Sequence, residues 1–339
     1  MKAAIFDGQC GVQIIDRPLP EIGMAEALIK VKYVGICGSD ITIYTGKNPR
    51  AKVPLIPGHE IVGEIVKISE VKDGNFKVGD RIAVLPTLTC GSCELCNNGK
   101  RHLCKSLHFI GIQTDGGYAE HVKVPVSNLY HLPDGLPFEK AVLVEPLAVA
   151  IHAARLAKIE VGDEALIMGA GPIGLLVAMV ARLSGCFKVI VSEVSPSRIK
   201  LARSLGFETV DASGEDASEK LLSYTNGRGF DLIFECVGHP STVNQLIELG
   251  RPEAQLIVVG AFKEPPAFDL FRMSRKEQRL VAAWTYTKDD FSTAIKYLSE
   301  SDTPFERVIS HFIALDQARQ AMEMVMNAKE SMKVVLKID

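Results

Sequence analysis

Short apolar runs divide the chain into two textures. Up to about residue 135, stretches such as EALIKVKYVGI (26–36), IVGEIVKI (61–68) and RIAVL (81–85) are punctuated by Gly, Pro and Asp. They predict half-buried strands joined by turns. From about residue 150 the pattern becomes a strict alternation. DEALIM (163–168) leads into a helix over GPIGLLVAMVARLSG (171–185), followed by VIVSE (189–193) and the helix SPSRIKLARSLG (195–206). ETVDA, EDASEKLLSYT, DLIFECVG, STVNQLIELG and QLIVVG continue the series to residue 260. This βαβ series predicts an α/β fold with a doubly wound parallel sheet. After Trp284 a helix over DDFSTAIKYLSE and a final amphipathic stretch lead to a strand, MKVVLKI (332–338). No internal repeat or low-complexity segment interrupts the series.

Composition narrows the class. Apolar residues make up 47% and charged residues 23% of 339 positions, an ordinary globular balance with material for about two domains. A formal charge of −3 and the lack of like-charge runs argue against a nucleic-acid partner. The longest apolar stretch, Ile173 to Ala181, is far short of the roughly 20 residues that span a bilayer, so no membrane partner is expected. The N-terminus lacks the apolar core of a secretory signal, and a cytoplasmic protein with reduced thiols is expected.

That setting bears on residues 90–104, CGSCELCNNGKRHLC, where Cys90, Cys93, Cys96 and Cys104 follow C-x2-C-x2-C-x7-C spacing. Four thiolates at short range suit tetrahedral zinc, with metal–sulfur bonds of about 2.3 Å. An iron–sulfur cluster is the competitor, but in its bacterial motif the fourth cysteine follows after three residues and precedes proline. Here Lys105 follows Cys104. A metal held by four cysteines has no position left for substrate, so this lobe (88–106) is a fastening and the chemistry lies elsewhere.

Gly169-Ala170-Gly171-Pro172-Ile173-Gly174 is a G-x-G-x-x-G sequence between a predicted strand and a predicted helix, the context that gives it meaning. Gly169 would make the tight turn, Gly171 would admit a pyrophosphate, and Gly174 would let helix and strand approach. The helix N-terminus offers free N–H groups to phosphate. Nineteen residues after Gly174 comes Glu193, whose carboxylate would accept from ribose hydroxyls and repel a 2′-phosphate. NAD is therefore expected over NADP, a preference that Arg198 softens.

Cys37 (in VGICGSD), His59 and Glu60 (in PGHEIVG) and Glu145 (in VLVEPLAVAIH) each have a bland reading as a core thiol, a hydrogen-bonded imidazole or a solvated acid. Glu145 fits its reading worst, because a charge flanked by AVLV and PLAVA needs a partner such as a metal.

Taken with GICGSD, GHEIVGEIV, the four-cysteine lobe, GGYAEH, VEPLAVAIHA and GAGPIG, in that order, the whole chain resembles the zinc-dependent medium-chain alcohol dehydrogenases. The polyol branch typified by sorbitol dehydrogenase is the most similar. The resemblance implies a GroES-like catalytic domain at 1–148 plus 285–339 and a Rossmann NAD-binding domain at 149–284. It implies two zinc ions per chain. One is catalytic, on Cys37, His59 and Glu145 with Glu60 as a possible further ligand, and one is structural, on the four lobe cysteines. Asp40 would orient His59, Ser39 would take the substrate proton, and Gly169, Gly171, Pro172, Ile173, Gly174, Glu193, Arg198 and Val237 would line the coenzyme site. A dimer or tetramer would follow. One departure is Thr42, where relatives often carry a histidine that completes a proton relay.

HFIGIQTDGGYAEHVKVPVSNLY and TYTKDDF resemble bacterial sugar-acid dehydrogenases for galactonate, gulonate or idonate. A small-molecule sugar acid or polyol is thus the expected substrate, with Lys47 and Arg50 as candidate cations for a carboxylate and Trp284 and Tyr286 as pocket walls. The alternatives are a sorbitol-, butanediol- or threonine-type or simple secondary-alcohol dehydrogenase and, remotely, a non-catalytic redox-sensing regulator.

Overall fold

The computed structural model describes residues 1–70, 75–327 and 331–338. The chain divides into two compact units, Met1–Glu145 with Thr287–Asp339, and Pro146–Tyr286.

The first unit is built on a seven-stranded sheet. Its central strand, Glu26–Gly35, pairs antiparallel with Glu60–Ile68 on one side and with both His121–Pro125 and Lys333–Lys337 on the other. Register shifts at Leu28/Ile29 and Val31/Tyr33 twist the central pair. Buried Ile29, Val31, Val34, Ile61, Ile65, Val122 and Val334 line the core, and the two central strands carry runs of three or four buried residues in place of strict alternation. The three strands expected near residues 26, 61 and 81 are all present. The strand Lys333–Lys337 carries such a run as well. Its first four residues are all buried, including the lysine.

The second unit is a six-stranded parallel sheet. In spatial order the strands are Glu208–Asp211, Lys188–Glu193, Glu164–Met168, Phe230–Glu235, Gly250–Val258 and Arg279–Ala282. Numbered along the chain this is 3-2-1-4-5-6, the dinucleotide-binding arrangement, whose direction of winding reverses between Glu164–Met168 and Phe230–Glu235. Inner strands covered on both faces read as unbroken apolar runs, and Leu166, Ile190, Phe230, Ile233 and Leu256 pack with Leu246, Ile247 and Leu249 of a covering helix. Two elements go beyond the sequence reading. A short helix, Leu270–Arg275, precedes the edge strand Arg279–Ala282, whose mostly exposed side chains give no burial signal. The strand expected at QLIVVG starts earlier, at Gly250, and absorbs Pro252 beside a register shift. Among the described residues no helix is long and apolar enough to cross a membrane.

Candidate functional site

The strand Glu26–Gly35 ends where the helix Gly38–Tyr44 begins, and Cys37 sits at that helix's N-cap. Its backbone N–H donates to Asp40 Oδ2 at 2.8 Å, which sets the first turn. The neighbouring strand starts at Glu60, so His59 and Glu60 emerge beside Cys37 through the pairing Gly35–Glu60. The thiol, imidazole and carboxylate ligand atoms of Cys37, His59 and Glu60 lie within 4.8 Å of one another. His59 and Glu60 are buried.

Asp40, with no exposure, stands behind this group. Its Oδ2 also accepts from the Tyr118 hydroxyl at 3.0 Å, and its Oδ1 lies 3.7 Å from His59 Nδ1. That placement turns Nδ1 towards the carboxylate and leaves Nε2 for a metal. Burial opposes protonation of His59, but the Asp40 carboxylate and the Cys37 sulfur outweigh it and raise the imidazole pKa. Burial and the same carboxylate push the Tyr118 phenol up, so it stays a hydrogen-bond donor. Such a donor set fits a divalent ion of zinc's character, since a thiolate, an imidazole and a carboxylate are its usual ligands.

Glu145 opens the helix Val144–Ala157 and is buried, as its apolar flanks require. It does not belong to the 4.8 Å group, in which the nearer acid is Glu60. This differs from the expected trio of Cys37, His59 and Glu145. The cause is local. Glu60 follows His59 directly along the strand, whereas Glu145 approaches from another element and exerts its charge on Lys333. Lys333 itself was not anticipated. Its ammonium reaches Glu60 at 2.6 and 2.8 Å and is buried with it.

Ser39 Oγ is buried and has no hydrogen-bond partner among the described residues. Thr42 Oγ1 donates to the Ser39 carbonyl at 2.7 Å and accepts from Asn48 Nδ2 at 3.0 Å. Lys47 and Arg50 are exposed on the following loop, outside the buried group.

The lobe brings all four cysteine sulfurs within 4.8 Å of one another. Individual pairs stand 3.5 Å (Cys90–Cys104), 3.9 Å (Cys90–Cys96) and 4.0 Å (Cys93–Cys104) apart. A tetrahedron with bonds of about 2.3 Å has edges of about 3.8 Å, so the spacing fits one zinc ion. All four are free thiols. Backbone N–H groups of Ser92 and Cys93, with the Cys104 thiol, pull Cys90 down to about 6, and burial pushes Cys96 up to about 11.

In the second unit, Gly169 closes the strand Glu164–Met168 at φ +96°, which favours glycine. Gly171 caps the helix Pro172–Leu183, with Pro172 in its first turn and Ile173 next to it. A Cβ on Gly174 would stand 1.9 Å from the Gly169 carbonyl oxygen, so the helix can approach only a glycine there. A Cβ on Gly171 would meet nothing nearer than the Arg198 guanidinium at 3.9 Å, so the space in front of this helix N-terminus is open and lies beside a cation. Glu193 Oε2 accepts from Ala170 N–H at 2.7 Å, and Oε1 accepts from Val194 and Ser195 N–H. The carboxylate thus braces the glycine turn as well as closing its strand, and Arg198 lies 4.0 Å away. Val237, half exposed, packs against Gly169. Its N–H and that of Gly238 donate to the buried Glu235 carboxylate, which sequence reasoning had not singled out. Trp284 is half exposed and Tyr286 is buried.

Known proteins give the same picture. Residues 23–134 match the alcohol dehydrogenase GroES-like domain and residues 172–300 the zinc-binding dehydrogenase family. The chain is 33% identical to sorbitol dehydrogenase of Bacillus subtilis strain 168, over 99% of this chain and 97% of that protein. It is also 33% identical to L-galactonate-5-dehydrogenase of Escherichia coli K12, over 94% of each. A solved alcohol dehydrogenase from Escherichia coli CFT073, complexed with NADH, superposes with a TM-score of 0.92 at 30% identity, over 99% of both chains. With likeness running through both units and nearly every residue, the chain belongs to the zinc-dependent medium-chain alcohol dehydrogenase family and is an oxidoreductase.

Proposed function

We propose that the chain oxidises a secondary hydroxyl of a sugar acid, of the galactonate, gulonate or idonate kind, or of a polyol, and passes the hydride to NAD. The observation that carries this reading is the buried thiolate–imidazole–carboxylate group backed by Asp40, in a chain similar from end to end to sorbitol and L-galactonate dehydrogenases.

Cys37, His59 and Glu145 hold the catalytic ion, with Glu60 beside them. Zinc supplies a Lewis acid there that acidifies the substrate hydroxyl. Asp40 keeps His59 in one orientation and one tautomer. The Ser39 hydroxyl, buried and uncommitted, receives the substrate proton. Thr42 does not pass it on, because its own proton is given to the Ser39 carbonyl. The proton leaves by water, by the Glu60 carboxylate or by another path. Lys47 and Arg50 offer positive charge to a substrate carboxylate.

NAD supplies the hydride acceptor. The Gly169–Gly174 turn and the helix behind it hold its pyrophosphate. Glu193 opposes a 2′-phosphate by about 1–4 kcal/mol for charges 4 Å apart, depending on the local dielectric. The four lobe cysteines hold a second, structural ion. The chain assembles as a homo-oligomer in the cytoplasm, for which the edge strand Arg279–Ala282 and exposed Leu270, Phe271, Leu280 and Trp284 offer a surface.

A panel of aldonates, polyols, threonine and short alcohols, each with NAD and NADP and run beside metal analysis, tests this. Greatest kcat/KM on an aldonate or polyol with NAD, and two zinc ions per chain, are expected. Preference for a short aliphatic alcohol or for threonine would overturn the substrate class.

A further inference from the structure

The strand Phe230–Glu235 opens the second half of the parallel sheet, beyond the point where the winding reverses. Its last residue, Glu235, carries a carboxylate with no exposure. Oε1 accepts from the N–H groups of Val237 and Gly238 at 2.9 Å each, amides that lie past the end of the strand. Thr242 Oγ1 stands 2.9 Å from the same oxygen and 2.7 Å from the His239 carbonyl, so its one proton is shared between them. The main-chain carbonyl of Glu235 accepts from the N–H groups of Val259 and Gly260, both at 2.8 Å. One residue thus gathers two loops, its own through the side chain and that of the next strand through the backbone.

The two loops meet at glycines. A Cβ on Gly238, at φ +71°, would stand 2.7 Å from the Ala261 carbonyl oxygen, and one on Gly260 would stand 2.6 Å from Glu235 Oε2. That second oxygen is buried and has no hydrogen-bond partner among the described residues. A buried carboxylate with one bare oxygen is a costly way to satisfy two amides. What it adds is direction, because it fixes how Val237 and Gly238 leave the strand, and Val237 packs on Gly169 of the glycine turn.

A dinucleotide lies across the crevice at the winding reversal, with one half on each side. The Gly169–Gly174 turn and Glu193 belong to the first side, which takes the adenosine end. The nicotinamide end falls to the second side, where the loops gathered by Glu235 stand. A reacting ring misplaced by about 1 Å can lose roughly 100-fold in rate.

We propose that Glu235 is a positioning residue for the nicotinamide half of the coenzyme, holding loops 236–238 and 259–261 as one seat. The inference rests on the reading of NAD as hydride acceptor. Glu235 is buried beneath the loops and acts through Val237, Gly238 and Gly260.

The test compares NADH with ADP-ribose, which lacks the nicotinamide, on full-length wild type and Glu235→Gln by calorimetry. The variant keeps an oxygen for the two amides but sets an NH2 group against Gly260 with no acceptor. NADH should bind about tenfold more weakly, while ADP-ribose stays within about twofold of wild type. The emission of bound NADH should also move towards that of free NADH, as its ring loses a fixed surrounding. Equal weakening of both ligands would mark a general loosening of the unit and overturn the proposal, as would an unchanged Kd for NADH. Should Glu235→Gln fail to fold, Thr242→Val, which removes one shared donor, decides. It should give the same split at about two- to threefold, and parallel or absent changes refute the inference. Wild type that binds neither ligand would remove the coenzyme reading itself, a failure distinct from these.

Discussion

Asp40 shows how one buried side chain can tie three parts of a candidate site together. It fixes the Cys37 backbone, accepts from Tyr118 and faces His59. Asp40→Asn preserves shape but removes the charge that orients the imidazole. We expect it to cut kcat or metal affinity about 10–100-fold while the Kd for NADH stays within error, as measured by steady-state kinetics and coenzyme fluorescence titration. At the other site, Gly174→Ala drives a methyl into the Gly169 carbonyl. It should weaken NADH binding and cost about 1–3 kcal/mol of stability, read as a lower Tm. Cys37 and His59 read blandly one at a time and were singled out only through GICGSD and GHEIVGEIV, on which the resemblance rests, whereas Glu145 stood out against its apolar flanks. Lys333 was not. In a strand, Lys333, Val335 and Lys337 share one face, and only the fold shows that the first points at a buried acid.

The elements of the second unit are held at their N-terminal edge by charge. Asp231 accepts from Arg228, from Arg251 and from the Glu164 backbone, while Glu164 pairs with Lys188 and Arg228. This ties four adjacent strands together. Burial alone would raise the Asp231 pKa, but the two arginines and the amide outweigh it and hold the carboxyl well below its usual range. A depressed carboxyl stabilises the fold fully above its unfolded value of about 3.9, and the gain is lost as pH falls through the folded value. Asp231→Asn should therefore lower Tm at neutral pH and converge with wild type in acid, measured by calorimetry across that range. The cysteine lobe makes a separate element. Its single turn of helix buries only Cys96, which with Cys104 joins the core of the first unit, while Cys90 stays exposed. Cys104→Ser should bind one ion fewer and leave the lobe thiols open to a thiol reagent, with NADH affinity unchanged. The alternating strands and helices were readable because parallel strands covered on both sides leave continuous apolar signatures. The edge strand Arg279–Ala282 escaped, since four mostly exposed residues carry no such signature.

For the whole molecule, that same edge gives a direct test of assembly. Leu280→Asp should shift sedimentation towards a monomer if the exposed edge pairs with a second copy, and an unchanged profile would place the contact elsewhere. The ligand-bearing unit is also discontinuous in sequence, since the chain leaves it after Glu145 and returns at Thr287. The partner of Glu60 arrives 273 residues later. During synthesis, then, Cys37, His59 and Glu60 emerge long before the lysine that pairs with Glu60, whereas all four lobe cysteines are made by residue 104. A ribosome-stalled fragment ending within the second unit leaves the Glu60 carboxylate without its buried cation, and it should bind one zinc ion, at the lobe, where the finished protein binds two.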